Sequence, residues 1–265
     1  MLVENAKLVE RLGACQLFHV PQTASTNMAL ADAFAQGADL ADHASLGLLA
    51  DQQTAGQGRR GNSWASAPGN LFLSLLLRPM RPLAQWASLS LVAGYSLHQT
   101  LAVDFGCMTQ IKWPNDLLAD GAKLSGLLPQ VVHRQHHDQQ QSALVLGLGV
   151  NLHSPPGDLG RKTTSVLQLT GAHVQPLDLA RAFITRFHGD LAQWEAEGFA
   201  AFHERWKANA LGWGEQLQVR LPNEDFAAKM LDLDPDGALW VLPQGESTQR
   251  CITAGEVFFA DEGAV

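Results

Sequence analysis

Two spacings of apolar residues alternate along this chain, and in turn they predict strands and helices. Near-continuous apolar runs mark buried strands at 44–50, 71–77 and 143–152, with shorter strands at 16–20 and 127–132. Helical spacing appears at Met28, Ala31, Phe34 and Ala35, ahead of Gly37 where a C-terminal cap belongs. It returns at Trp86, Leu89, Val92, Ala93, Leu97 and Leu101, predicting a buried helix over 83–103. Two more helices are expected over 177–197 and around 199–209. Past Gly212-Trp213-Gly214 the pattern shifts to short strand-like runs at 216–221, 226–233, 238–242 and 248–252, parted by turn residues. Asp236-Gly237 is a hairpin signal among them. The expected architecture is α+β: a mixed β-sheet with helices packed against it over residues 1–210, then a small β-barrel over 211–265.

Composition narrows the classes. In 265 residues, 46% are hydrophobic and 17% charged, which describes a globule with a real core and no disorder. The formal net charge of −8 argues against a surface that coats nucleic acid. Cys15, Cys107 and Cys251 are widely separated and form neither a disulfide framework nor a CxxC pair, so a cytoplasmic setting is expected. Glu4, Lys7, Glu10 and Arg11 leave no apolar stretch for a secretory signal. The longest uncharged run, between Arg81 and Asp104, is broken by Gln85, Ser88, Ser90, Ser96, His98 and Gln99, as in a buried helix and not a membrane span. His133, His136 and His137 fall in a Gln-rich stretch that reads as a solvated hairpin loop; no element there would fix them as metal ligands.

Candidate chemistry gathers in four stretches. Lys112-Trp113-Pro114-Asn115-Asp116 is a turn between short strands, followed by Lys123-Leu124-Ser125-Gly126; such a hairpin would aim both lysines at one anionic ligand. Ser25-Thr26-Asn27 surrounds a helix start, where it could cap the helix or bind a polar ligand. Gln53 leads into Gly56-Gln57-Gly58-Arg59-Arg60-Gly61-Asn62-Ser63-Trp64, a loop rich in backbone N–H groups and arginine that suits phosphate, although it is neither a Walker A loop nor a Rossmann fingerprint. Gly147-Leu148-Gly149-Val150-Asn151 puts two glycines in a core strand, often the mark of a ligand against the backbone.

Together these motifs resemble the biotin–protein ligases, of the monofunctional type without an N-terminal DNA-binding domain. The resemblance implies a class II synthetase-like biotin/lipoate ligase catalytic domain and an SH3-like C-terminal barrel. It implies ATP with Mg²⁺, biotin as substrate, and transfer through biotinyl-AMP to a lysine of a biotin carboxyl carrier protein, of acetyl-CoA carboxylase or a related enzyme. By the same carry-over, Lys123, Arg59, Lys112 and Asp116 are the catalytic candidates. Ser25, Thr26, Asn27, Gln53, Gln57, Gly58, Arg59, Lys123 and Gly126 are expected around biotin. Arg59, Arg60, Trp64, Lys112, Asn115 and Asn151 are expected around the adenylate, with no protein ligand assigned to the metal. Gln57 and Asn62 stand where the family's loop usually has arginine, and Pro129-Gln130 where a glutamate often occurs. A homodimer could form through an edge strand at 143–152 or its neighbours. Rival readings are a lipoate or octanoate ligase of the same fold and a non-catalytic biotin sensor; neither nucleic acid nor membrane is expected as a partner.

Overall fold

The structure, a computed structural model, describes residues 5–38, 40, 45–136, 139–156 and 162–259. In chain order its strands are β1 (Lys7–Leu12), β2 (Cys15–Thr23), β3 (Ser45–Gln53), β4 (Leu71–Leu77), β5 (Gln110–Lys112), β6 (Asp116–Ala119), β7 (Ala122–His136), β8 (Gln139–Val150), β9 (Gln216–Arg220), β10 (Asp225–Leu233), β11 (Leu239–Pro243), β12 (Arg250–Ile252) and β13 (Glu256–Phe258). Its α-helices are α1 (Thr26–Ala35), α2 (Trp86–Phe105), α3 (Val166–Thr170), α4 (Pro176–Glu197) and α5 (His203–Ala208). The chain divides into two compact units, one of residues 1–80, 125–157 and 164–186, the other of 81–124, 158–163 and 187–265.

In the first unit the strands pair in the order β1-β2-β3-β4-β8-β7. The β2–β3 pair is parallel and the others are antiparallel. All seven residues of β4 are buried, and six of them are apolar, as expected of a strand covered on both faces. Helix α1 packs Leu30 and Phe34 into a core with Val20, Leu46, Leu48, Leu76 and Val145. Arg134 stacks 4.5 Å from the Phe34 ring and donates to the carbonyls of Phe34 and Ala38, holding the C-terminal end of that helix.

Two expectations are corrected here, and one strand was not foreseen. Strand β8 has β4 on one side and β7 on the other, so 143–152 is interior and offers no edge for a dimer. The Gln-rich stretch is mostly strand, because ladder hydrogen bonds need only backbone: His136 pairs with Gln139, and His133 Nδ1 lies 2.8 Å from Ser142 Oγ. His137 lies outside the described residues. The sequence of β1, Lys-Leu-Val-Glu-Arg-Leu, has no apolar alternation; its side chains are largely exposed and it gains its conformation by pairing with β2.

In the second unit, α2 follows a 3₁₀ turn at Leu83–Gln85 and ends at Gly106 in the left-handed region (φ 63°). Its buried polar residues are all engaged. Ser96 donates to Asp190 Oδ2 at 2.6 Å, Ser88 Oγ accepts from Trp194 Nε1, and His98 lies 2.9 Å from both Thr109 Oγ1 and Asn209 Oδ1. The helix expected at 199–209 is broken into a 3₁₀ turn, Phe199–Ala201, and α5. Burial, reinforced by Asp120, pushes the Cys107 thiol up to about 11, so it stays protonated. The five strands β12-β11-β10-β9-β13 form a wholly antiparallel sheet. Strand β13 was not foreseen, since a three-residue strand with one buried side chain, Val257, carries no readable period. No helix among the described residues is long and apolar enough to cross a membrane.

Candidate functional site

In the first unit, Ser25 is the N-cap of α1, although its side chain makes no capping bond. Thr26 and Asn27 open the helix buried, pointing at the sheet. Gln53 Oε1 accepts from the Thr26 backbone N–H at 2.9 Å and hydroxyl at 3.2 Å, while its Nε2 faces Ser66 Oγ at 3.4 Å. The pairing of β2 with β3 continues to Thr23 and Gln53, which is what carries Gln53 to the helix start.

The sequence reading missed Ser74, the one hydroxyl in the buried run of β4. It is 0% exposed, and its Oγ lies 2.7 Å from Thr26 Oγ1 and 2.6 Å from Asn27 Oδ1. A lone serine among six apolar residues was the available signal. Asn27 Nδ2 donates in the other direction, to the carbonyl of Leu128. Ser74 and Leu128 are the residues paired with Gly147 on either side, so the Asn27 amide lies across that glycine. A Cβ at Gly147 would stand 2.3 Å from Asn27 Oδ1.

The loop after Gln53 closes as a narrow hairpin. Trp64 N–H donates to the Gly56 carbonyl, Gly58 N–H to that of Asn62 and Asn62 N–H to that of Arg59, with a bridge between Gln57 and Ser63. Arg59 and Arg60 form its tip, where Arg60 adopts a left-handed conformation (φ 54°). The Gln57 amide lies 3.2 Å from Met28 Sδ on α1. The Trp64 indole covers Gly149, where a Cβ would stand 2.4 Å from the ring. The two strand glycines therefore admit the protein's own side chains, Asn27 and Trp64, which corrects the expectation of a ligand lying directly on that backbone. Gly126 pairs with Gly149, and Ser125 Oγ donates to the Gly149 carbonyl. Asn151 is buried and donates to the Thr164 carbonyl at 3.1 Å.

In the second unit, β5 and β6 form the expected hairpin, with Lys112 opposite Asp116 and a cis Trp113–Pro114 bond in the turn. Ile111 holds the other edge of β5, exchanging backbone bonds with Asn209 and Leu211. The Trp113 indole is buried and donates to the Gly237 carbonyl at 3.1 Å, so it anchors the turn. Asn115 is half-buried in that turn. Lys123 Nζ donates to Asp116 Oδ1 at 2.5 Å, with both side chains largely covered. Asp116 thus faces Lys112 in the ladder and holds Lys123 by its carboxylate. Lys112 is 8% exposed, and its Nζ lies 5.0 Å from the Phe258 ring centroid. Each unit keeps its own candidates together: hydroxyls, amides and the arginine tip in the first, the two lysines and Asp116 in the second.

A profile of the biotin/lipoate A/B protein ligase family matches residues 22–159. This chain belongs to that family. Among its relatives, a biotin–[acetyl-CoA-carboxylase] ligase of Mycobacterium tuberculosis is 33% identical over 91% of this chain and 88% of its own length. A bifunctional ligase/repressor BirA of Bacillus subtilis is 31% identical over 78% of this chain, which spans 64% of that relative's length. The solved biotin protein ligase from Aquifex aeolicus in complex with biotin and ATP superimposes with a TM-score of 0.74 at 25% identity, covering 91% of this chain and 97% of that one. The family match contains the hydroxyl cluster, the arginine hairpin, both lysines and the glycine strand.

Proposed function

We propose that the chain is an ATP-dependent biotin–protein ligase. A biotin carboxylate oxygen bonds to the α-phosphorus of ATP as pyrophosphate leaves. A lysine amine of a biotin carboxyl carrier protein, from acetyl-CoA carboxylase or a related enzyme, then attacks the biotinyl carbonyl of biotinyl-5′-AMP. The amine loses a proton and AMP departs. Residues 1–210 form the catalytic domain in this reading and 211–265 an SH3-like barrel, working in the cytoplasm.

The observation that carries this reading is Lys123 held on Asp116 beside Lys112 in the Trp-Pro-Asn-Asp hairpin. A carboxylate approaching a polyanion needs fixed cations, and an ammonium already oriented by a carboxylate needs little reorganisation to supply one. Lys123 screens the biotin carboxylate and the charge that grows at phosphorus; Lys112 acts at the phosphates. Arg59 and Arg60 hold the adenylate and keep its anhydride from water. Ser25, Thr26, Asn27 and Gln53 bond the ureido ring, and Gln57, Gly58 and Gly126 line its carboxyl end. Trp64, Asn115 and Asn151 serve the nucleotide. Among the described residues no three His, Cys, Asp or Glu side chains gather as a metal cage, so Mg²⁺ would arrive on the ATP phosphates, its commonest mode.

The test is direct. Purified protein with biotin, ATP and Mg²⁺ labels an apo-carrier domain, and omission of ATP stops it. Labelling by lipoate in place of biotin would transfer the chain to the other branch of its family.

A further inference from the structure

The sheet of the second unit carries an aromatic seat for Lys112. In the β9–β13 pair, Val219 faces Val257, and both side chains are buried in the sheet's core. Alternation then puts Gln218, Arg220, Glu256 and Phe258 on the opposite face. On that face the Phe258 ring has the Lys112 ammonium 5.0 Å from its centroid and the Arg220 guanidinium carbon 4.6 Å from it. Arg220 Nε in turn donates to Asp225 Oδ2 across the β9–β10 pair.

We propose that Phe258 is a positioning residue for Lys112, which rests on the ligase reading above. An ammonium that is 8% exposed has lost most of its hydration and must be held by fixed partners. The negative face of an aromatic ring attracts a cation and favours one placement of it over the ring. A ring at that distance therefore helps to orient the amine toward the nucleotide. Arg220, stacked on the same ring and tied to Asp225, fixes the ring's orientation. Phe258 acts through Lys112, and it reaches the hairpin from the last strand among the described residues.

The experiment compares Phe258→Leu with Phe258→Trp in the full chain, following ATP-dependent biotin labelling of an apo-carrier domain and thermal unfolding. The expected result is a rise of about tenfold in the KM for ATP in Phe258→Leu, with kcat and the KM for biotin changed by less than about twofold. Phe258→Trp restores the wild-type KM because it restores the ring face. Should Phe258→Leu unfold, Phe258→Met supplies a flexible apolar side chain without a ring and serves the same comparison. Equal KM values for ATP across the aromatic and aliphatic variants would overturn the proposal, as would a loss in Phe258→Trp as large as in Phe258→Leu. Wild-type protein that fails to label any carrier with biotin would instead defeat the ligase reading, which separates the two failures.

Discussion

Adding one methyl group at Gly147 tests how the first unit holds the Asn27 amide. In Gly147→Ala the new Cβ would stand 2.3 Å from Asn27 Oδ1, 2.9 Å from Cγ and 3.0 Å from Nδ2, and all three atoms belong to one side chain. Contact distances for such pairs are about 3.5 Å or more, so the Asn27 amide must move by about 1 Å. Movement breaks its bonds to Ser74 and to the Leu128 carbonyl inside a buried site. Overpacking costs about 1–3 kcal/mol and a stranded buried polar group about 1–3 kcal/mol more. A total near 2–6 kcal/mol lowers the melting temperature by about 4–24 °C in a chain of this size. The decisive measurement is a double-mutant cycle by urea denaturation. With Asn27→Ala in place, the clash disappears and Gly147→Ala should cost less than about 1 kcal/mol, a coupling of about 1 kcal/mol or more. Equal costs in the two backgrounds would refute the claim that Asn27 is what excludes a side chain at 147. Biotin affinity should fall in Gly147→Ala in step with the displaced amide.

Ser74→Ala removes a hydroxyl that Thr26 and Asn27 both approach, so we expect a loss of about 1–3 kcal/mol in urea unfolding and weaker biotin labelling. A variant as stable and active as wild type would show that the hydroxyl is a bystander. Lys123→Ala should lower carrier labelling by about 100-fold or more with the secondary structure retained by circular dichroism; undiminished labelling would remove Lys123 from the chemistry. Burial holds the His98 and His188 imidazoles below their ordinary range. As pH falls through about 6.5 the unfolded chain takes up protons that the folded one refuses, so stability is full above that pH and declines below it. Melting temperatures at pH 7.5, 6.5 and 5.5 should fall in that order, and His98→Gln should flatten part of the slope.

Much of the site was legible because its chemistry is written in short local runs. Pro114, Asn115 and Asp116 make a turn through their own backbone preferences, and the hairpin at Lys112 follows wherever that turn sits. The helix after Ser25 and the buried strand at Leu71–Leu77 follow from apolar spacing alone. Strand β1 was not legible, because a charged, exposed edge strand is selected by its neighbour and not by its own side chains. Strand β13 and its Phe258 were missed for a related reason: their significance lies in which residue stands across the sheet.

The sequence by itself marked the candidate groups: hydroxyls at a helix start, arginines in a glycine-rich loop, and two lysines around Trp-Pro-Asn-Asp. Only the tertiary structure decided what each of those groups touches. It placed Ser74 under Thr26 and Asn27, laid Asn27 and Trp64 over the two strand glycines, gave Lys123 to Asp116 and set Lys112 on Phe258. The physical reason is range. Turn and helix preferences act over a few residues, whereas a buried polar group or cation must be satisfied by whatever the register brings alongside, and Phe258 lies far along the chain from Lys112.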